Sequence, residues 1–372
     1  MNTSHARAIS NSCERCQSKM QAVAELLILS CDGRPVKTEH VMSSHTNSPS
    51  QIKDRIFTSM KSLTLSMKNV ITLVHMITTK WTEIVEALQE LTNITVSFVE
   101  LCSHVAYLTA INFPDCSQAL PGLVDKYCVC LAGLEIKLSC VQLKRSRIDE
   151  LSPQLIIDLC SNISKHIAII TDICRTAGQK VSDESTQDQF KLCVKSVTCA
   201  AGCLIASIKC YKSNASPTHH SRVLVFCEPV LASSAALVSF ATEEDFIGNE
   251  AILTSEAKDA QKAILGACMS IVSASIQLCK TVRDLAFDML TAHHRDKLRM
   301  CTDSVERAAS QLTELLNKHS MKDYSACRIS PDRSNGKLLE QSRNSLVRND
   351  DDKDFNDDCN STSPGVLLDD SK

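Results

Sequence analysis

The side chains in this chain best suited to chemistry are its twenty cysteines and eleven histidines. Cys13-Glu14-Arg15-Cys16 is the one Cys-x-x-Cys pair. A structural zinc site needs four ligands, usually with a second pair at recognisable spacing. Cys128 and Cys130 do not provide it, because positions two apart on a helix point to different faces. A redox role for the pair would need a βαβ setting, and none surrounds it. His219-His220 and His293-His294 could ligate a metal or act as bases. Each pair lies near a helix boundary, with no acid-x-x-His pattern to face it from another helix, so both read as solvated ends. His166 falls on the inward stripe of its helix and reads as a partly buried, hydrogen-bonded histidine, whereas a phosphotransfer bundle would expose it. No glycine-rich phosphate loop, HExxH or GxSxG pattern occurs. No catalytic, metal-ligating or cofactor-binding residue can be named, and the reading is of a non-enzyme without a cofactor.

Two other patterns suit recognition. Lys165, Arg175, Lys191, Lys195, Lys209, Lys212 and Arg222 are basic residues on consecutive helical segments. Lys191 and Lys195 are four apart and share a face beside Phe190 and Val194. Such a patch could meet an acidic polymer surface, with strong salt dependence, or be an ordinary solvated face. The second pattern is a helix carrying Leu224, Leu231, Ala235, Val238 and Phe240 outside its inner stripe. A helix apolar on more than one face must be covered, either by a second chain or by its own bundle.

The elements that hold these residues are helices. Only nine glycines and nine prolines occur in 372 residues, and aromatics make up 4%. Turn-rich β folds and doubly wound folds need more punctuation than that, whereas bundles fill their cores with aliphatic side chains. Apolar residues recur at alternating steps of four and three. Ile56, Met60, Leu63, Met67, Val70, Val74 and Ile77 form one such stripe, and Ile84, Leu88, Leu91, Thr95, Phe98, Cys102 and Val105 another. A first helix is expected over about 11–30, stopping near Asp32-Gly33. A polar loop over 42–50 should precede the second helix, and the third should run over 80–111. Four shorter helices follow, with stripes on Tyr127, Leu131, Leu134, Leu138 and Val141, on Leu159 to Ala177, on Phe190 to Tyr211, and on Val223 to Leu237. Ser152-Pro153 and Ser216-Pro217 open two of them, and Pro229 should kink the last. Two long helices, holding Ile264 to Leu285 and Leu298 to Leu315, close the folded part.

The count is nine helices: an all-α fold in which a five-helix bundle (11–114 and 250–319) is interrupted by a four-helix bundle (120–246). Residues 320–372 lose the stripes and gain acid at Asp350–Asp352, which reads as a disordered acidic tail. A net charge of −3 gives no bulk affinity for nucleic acid. No stretch reads as a leader. The longest uncharged apolar-rich run, between Lys262 and Lys280, contains Ser270, Ser273, Ser275 and Gln277 and is too short and polar for a membrane span. With cysteines in small-apolar positions such as Cys102, Cys268 and Cys279, the expectation is reduced thiols and a cytoplasmic chain, against the alternative of a disulfide scaffold.

Beyond the stripes, a series of phrases runs in order along the chain: Cys13-Glu-Arg-Cys16 leading to Met20-Gln-Ala-Val-Ala-Glu-Leu-Leu, Pro121-Gly-Leu-Val-Asp-Lys-Tyr127, Ser152-Pro-Gln-Leu, Gln189-Phe-Lys-Leu-Cys-Val-Lys195, Ala236-Leu-Val-Ser-Phe-Ala-Thr-Glu243, Gln261-Lys-Ala-Ile-Leu-Gly266 and Arg283-Asp-Leu-Ala286. Together they resemble the talin rod domain-containing proteins, small relatives of two adjoining talin rod bundles. The resemblance covers about 11–318. It implies a five-helix bundle with a four-helix bundle inserted after its third helix. It also implies a homodimer through the inserted module, here drawn on Leu224, Leu231, Ala235, Val238 and Phe240. It further implies binding and bundling of actin filaments, here drawn on Lys165, Arg175, Lys191, Lys195, Lys209 and Lys212, with a place in filopodia. The alternative it leaves open is an adaptor that docks amphipathic partner helices without touching actin.

Overall fold

A computed structural model of the chain describes residues 3–38, 41, 49–76, 80–147, 151, 153–287 and 292–318. Nine long helices and one single-turn helix occur among them: α1 (Thr3–Ala24, continued by a π-helical turn, Glu25–Leu29), α2 (Pro49–His75), α3 (Trp81–Ile111), α4 (Lys126–Arg145), α5 (Pro153–Lys180), α6 (Glu184–Ser213), α7 (Pro217–Ala241), the short α8 (Glu244–Ile247), α9 (Ser255–Phe287) and α10 (Ala292–Lys318). The fold is a five-helix bundle, α1, α2, α3, α9 and α10, interrupted by a four-helix bundle, α4 to α7. No strand forms among the described residues; Ser117 and Ile252 make an isolated antiparallel bridge. The expected acidic tail, the middle of the 42–50 loop and the Ser152 cap lie outside the described residues.

The stripes become the cores. Ile56, Met60, Leu63, Met67 and Val70 of α2 and Ile84, Leu88, Leu91, Phe98 and Cys102 of α3 are all buried and join Met20, Ile271, Leu278 and Leu298 in one apolar cluster. A second cluster holds Ile136, Leu159, Ile170, Phe190, Leu204, Val230 and Leu237. Two boundaries differ from expectation. α1 starts eight residues before Asn11, because Ala6 and Ile9 extend its buried stripe upstream of Cys13. Its stop is made by Cys31, in the left-handed region at φ 46, and not by Gly33. α7 runs through Pro229 as one element; Pro229 and Val225, whose carbonyl loses its helical partner there, are both solvent-exposed.

The largest revision concerns α4. The stripe read from sequence, with Tyr127, Leu131 and Leu134, packs against the five-helix core. The module's own core instead takes Val129, Ala132, Ile136, Cys140 and Leu143. α4 is therefore covered on two sides, and periodicity alone picked the stripe facing away from its module. Polar side chains fix the α1–α4 seam. Arg15 Nη1 donates to Gln142 Oε1 at 2.6 Å, and Arg145 pairs with Glu14 at 2.8 Å. Lys19 Nζ lies 2.7 Å from Glu135 Oε1, and Asn162 of α5 donates to Glu135 Oε2 at 3.3 Å and to Ser139 Oγ at 2.8 Å. Glu135 is thus held from both bundles at once. Burial pushes its carboxyl up, but the charge and hydrogen bond of Lys19 with the bond from Asn162 outweigh it, and the net shift is downward.

The chain crosses between the bundles twice, through 112–125 and 242–254, and the two crossings are zipped together. Ser117 N donates to Ile252 O at 2.9 Å, Leu120 and Asn249 exchange both backbone bonds at 3.0 and 3.1 Å, and Val124 N donates to Phe246 O at 3.0 Å. The α1–α2 connection clamps the zip: Ala251 N donates to Gly33 O at 2.9 Å, and Arg34 donates to Gly248 O at 2.9 Å while pairing with Asp32 and Glu250. Gly248 sits at φ +71, and a Cβ on Gly122 would lie 2.3 Å from the backbone of Phe246 and Ile247. Side chains at either position collide with main chain, which cannot yield as a flexible side chain does.

Two outcomes follow. Gly122→Ala should destabilise the fold by about 2 kcal/mol or more, since a bound backbone must move; an unchanged thermal midpoint would contradict the zip. Glu135→Gln should cost about 2 kcal/mol at neutral pH. Because the folded carboxyl titrates below its ordinary value, its contribution is complete at neutral pH and is lost as pH falls through the folded pKa. The gap between wild type and variant, read by denaturant titration, should therefore close on acidification and stay constant from pH 6 to 8.

Candidate interaction surfaces

The chemical candidates take structural positions. Cys13 and Cys16 are buried, and burial pushes both thiols up. Burial with the neighbouring Asp125 carboxylate pushes Cys128 up to about 12. Such thiols are poor nucleophiles at neutral pH. All eighteen described cysteines are free, and among the described residues no three His, Cys, Asp or Glu side chains are grouped as a metal ion would need. His166 is half-buried, with Nδ1 2.8 Å from the Asn162 carbonyl one turn back. His219 folds against the α7 start, with Nδ1 2.8 Å from Asn214 O. The side chain of His293 lies outside the described residues. The Lys19–Glu135–Asn162 cluster was missed in sequence because its members come from three helices. The local signal for it was Glu135 and Ser139, two polar side chains four apart on a helix apolar on both flanks.

The basic residues are all exposed: Lys165 and Arg175 on α5, Lys191, Lys195, Lys209 and Lys212 on α6. α5 and α6 lie antiparallel, with Gly178 against Phe190 near one end. Near the other, Lys209 is close enough to Cys160 for its charge to oppose the upward push of burial on that thiol. This register puts Arg175 level with Lys191 and Lys195, and Lys165 between that point and Lys209. With Lys212 one turn beyond Lys209, six exposed cationic side chains therefore stand on one helix pair. Lys191 is engaged by Asp188 at 2.9 Å, an exposed pair that contributes little.

The apolar residues of α7 divide. Phe240 packs with Phe190 and Phe246, ring centroids 4.7 and 5.3 Å away, and Phe190 meets Phe246 at 5.1 Å. Val238 lies against Gly133 of α4, where a Cβ would come within 2.6 Å of Val238 Cγ2. Leu231 is half-buried against the module core, Leu224 is half-buried, and Ala235 is exposed. Val225, which sequence reasoning passed over, is 61% exposed. It heads an outward line with Pro229, Ala232, Ala236 and Ser239, again at steps of four and three and all exposed. α3, α6, α7 and α9 are long and apolar enough to cross a membrane by length and composition, but the most apolar stretch of α3 is 72% covered and that of α9 56%. For α6 and α7 the covered share is only 28%, so this module presents apolar helix to the outside.

A helix-bundle fold of the talin rod type is the class these features define: two apolar cores, one buried polar cluster at the seam between them, and exposed cationic and apolar side chains on the outer helix faces. The family model of the Talin IBS2B domain matches residues 8–244, and the chain belongs to that family. Among similar proteins, human (Homo sapiens) talin-2 is 25% identical over 190 residues, 51% of this chain and 7% of that protein. Talin of Oscarella pearsei is 25% identical over 238 residues, 59% of this chain and 9% of that protein. Talin-1 of Gallus gallus is 21% identical over 313 residues, 81% of this chain and 12% of that protein. The chain thus spans only a small part of the length of these relatives.

Phe240→Ala should lower module stability by about 2–3 kcal/mol through loss of ring packing, whereas Val225→Ala should stay within about 0.5 kcal/mol. Equal melting curves for the two variants would contradict the aromatic cluster.

Proposed function

We propose that this chain is a cytoplasmic, cytoskeleton-associated scaffold that binds actin filaments through the inserted module and bundles them as a homodimer, supporting filopodia or related protrusions. Catalysis has no part in this reading. The observation that carries it is the exposed cationic row on α5 and α6, set on a rigid helix pair within a talin-family fold. An actin filament is acidic on its surface, and a row of fixed cations meets such a polymer with a salt-dependent attraction. Bundling needs two filament sites per particle. One module has one such row, and a twofold pair has two, so self-association supplies the second. The outer flank of α7, with exposed Val225 and Ala235 and half-buried Leu224, is the surface we assign to that pairing. Phe240 and Val238 support it from beneath by packing within the module.

Co-sedimentation of the purified full chain with filamentous actin tests the reading. Lys191→Glu with Lys195→Glu should weaken binding about tenfold at low salt and less at high salt; undiminished binding removes this face. Ala235→Asp should give a monomer in sedimentation velocity that binds filaments without bundling them. A variant that stays dimeric, or bundles as a monomer, overturns the pairing.

A second reading, an adaptor for amphipathic partner helices, draws on two open apolar grooves flanking α10. One lies against α9, with Met269, Ala274 and Met300, and one against α2, with Phe57, Met60 and Leu65. Met300 is 64% exposed and Leu65 70%. None of the chain in the filament pellet, together with saturable binding of a helical peptide, would favour it.

A further inference from the structure

Eighteen cysteines are described, and three of them are exposed: Cys199, Cys203 and Cys210. All three belong to α6. At 100° per residue they fall within roughly 40° of one another around the helix and span about 16 Å along it. The other fifteen are buried or half-buried, doing the work of small apolar side chains. The exposed three belong to an outward line, Leu192, Ser196, Cys199, Cys203, Ala206 and Cys210, stepping four, three, four, three, four. Every member of this line is exposed, Leu192 to 61%. A Cβ on Gly202 would meet nothing within 4 Å, so the flank of α6 beside this line is open as well. Lys195 and Lys209 stand roughly 40° and 80° round the helix on one flank of the line.

Geometry limits what such a row can do. Thiols four or seven apart project side by side from one helix, with Cβ vectors that do not converge as a disulfide requires. Cys210 is about 10 Å further along the axis than Cys203, too far for one metal ion to take all three. Each thiol therefore reacts alone, on an apolar face with a cationic border. We propose that the outer face of α6 is an S-acylation site, at which Cys199, Cys203 and Cys210 accept long-chain acyl groups from acyl-coenzyme A and so seat the inserted module on an anionic lipid bilayer.

The step balances without an oxidant. The cysteine sulfur attacks the thioester carbonyl carbon, a new carbon–sulfur bond forms, the bond to coenzyme A breaks, and the thiol proton leaves with the coenzyme A thiolate. One acyl chain binds a membrane only marginally, and stable anchoring takes a second chain or a basic patch. This face offers both, since each lysine near an anionic surface adds to the attraction. The helix lies on the bilayer and does not span it. The site stands independently of filament binding but shares Lys191, Lys195 and Lys209 with it, so an acylated module would hold those lysines against lipid and away from actin.

The test uses the full chain expressed in cultured animal cells. Free thiols are blocked, thioesters are cleaved with hydroxylamine, and the newly freed thiols are captured on a thiol-reactive resin. Wild type should be captured only when hydroxylamine is added, and should appear in the membrane fraction. Cys199→Ser with Cys203→Ser and Cys210→Ser should fall to the hydroxylamine-free background and leave that fraction, with an unchanged melting curve because all three sites are exposed. Capture of Cys193→Ser, a half-buried neighbour, should equal wild type. No hydroxylamine-dependent capture of wild type, or undiminished capture of the triple variant, overturns the proposal. Lys191→Glu with Lys195→Glu separates it from the filament reading: capture retained while co-sedimentation is lost supports acylation of the cysteine row independently of filament binding.

Discussion

A helix that is apolar on two faces has to be covered twice, and α4 is such a helix. One side, with Val129, Ile136 and Cys140, completes the four-helix core. The other, with Tyr127, Leu131 and Leu134, closes onto the five-helix core. Removing water from either face alone would leave the second exposed, at about 25 cal/mol per Å². The two bundles are therefore bound to a common element and not merely tethered. Glu135 carries the same logic into electrostatics. Its carboxylate reaches Lys19 of one bundle and Asn162 of the other, so its burial is compensated only when both are docked.

The crossover segments add a covalent constraint of their own. An insertion into a bundle needs its entry and exit strands side by side, and here they exchange backbone hydrogen bonds between Leu120 and Asn249. That leaves little room, and the two glycines are where the main chains pass closest. Arg34 then ties the α1–α2 connection to the same place. Three connections of different length along the sequence thus meet at one junction. The exposed basic and apolar side chains of α5, α6 and α7, among them Lys165, Lys191, Lys195 and Val225, do not take part in it.

How much of this was legible in the sequence depended on whether the signal was local. The stripe of α6 from Phe190 to Tyr211 is buried throughout, and those of α2 and α3 are buried from Ile56 to Val70 and from Ile84 to Cys102, with Val74 and Val105 half-buried at their ends, because a helix with one wet face has one periodicity. α4 was misread for the converse reason: two overlapping periods share one helix, and nothing local says which belongs to which bundle. The start of α1 was missed because Ala6 and Ile9 are sparse apolar markers in a polar stretch, and its end because a cysteine at φ 46 took the place glycine usually fills. Exposure of Lys165, Arg175, Lys191 and Lys195 could be read from their positions opposite the stripes. The role of Phe240 could not, since it depends on Phe190 and Phe246 arriving from other elements.

The placement of cysteine carries the same distinction into chemistry. In the five-helix bundle Cys102, Cys268 and Cys279 face inward and sit where Ala or Val would serve, and burial pushes the thiols of Cys102 and Cys279 well up. On α6 the heptad that builds the core has an outward counterpart, and there the same residue type is exposed to solvent. The eighteen described cysteines therefore fall into two groups, fifteen buried or half-buried and three exposed, and only the fold separates them. The same division applies to apolar side chains as a class: Leu192 and Val225 are as apolar as Leu204 and Val230, but the second pair is spent on the core. What is left over is found on both bundles, with Leu192 and Val225 on α6 and α7 and Leu65 and Met300 flanking the α10 grooves. The inserted module differs from the bundle that carries it in its cysteines, because all three exposed thiols among the described residues stand on α6, in one outward line bordered by lysines.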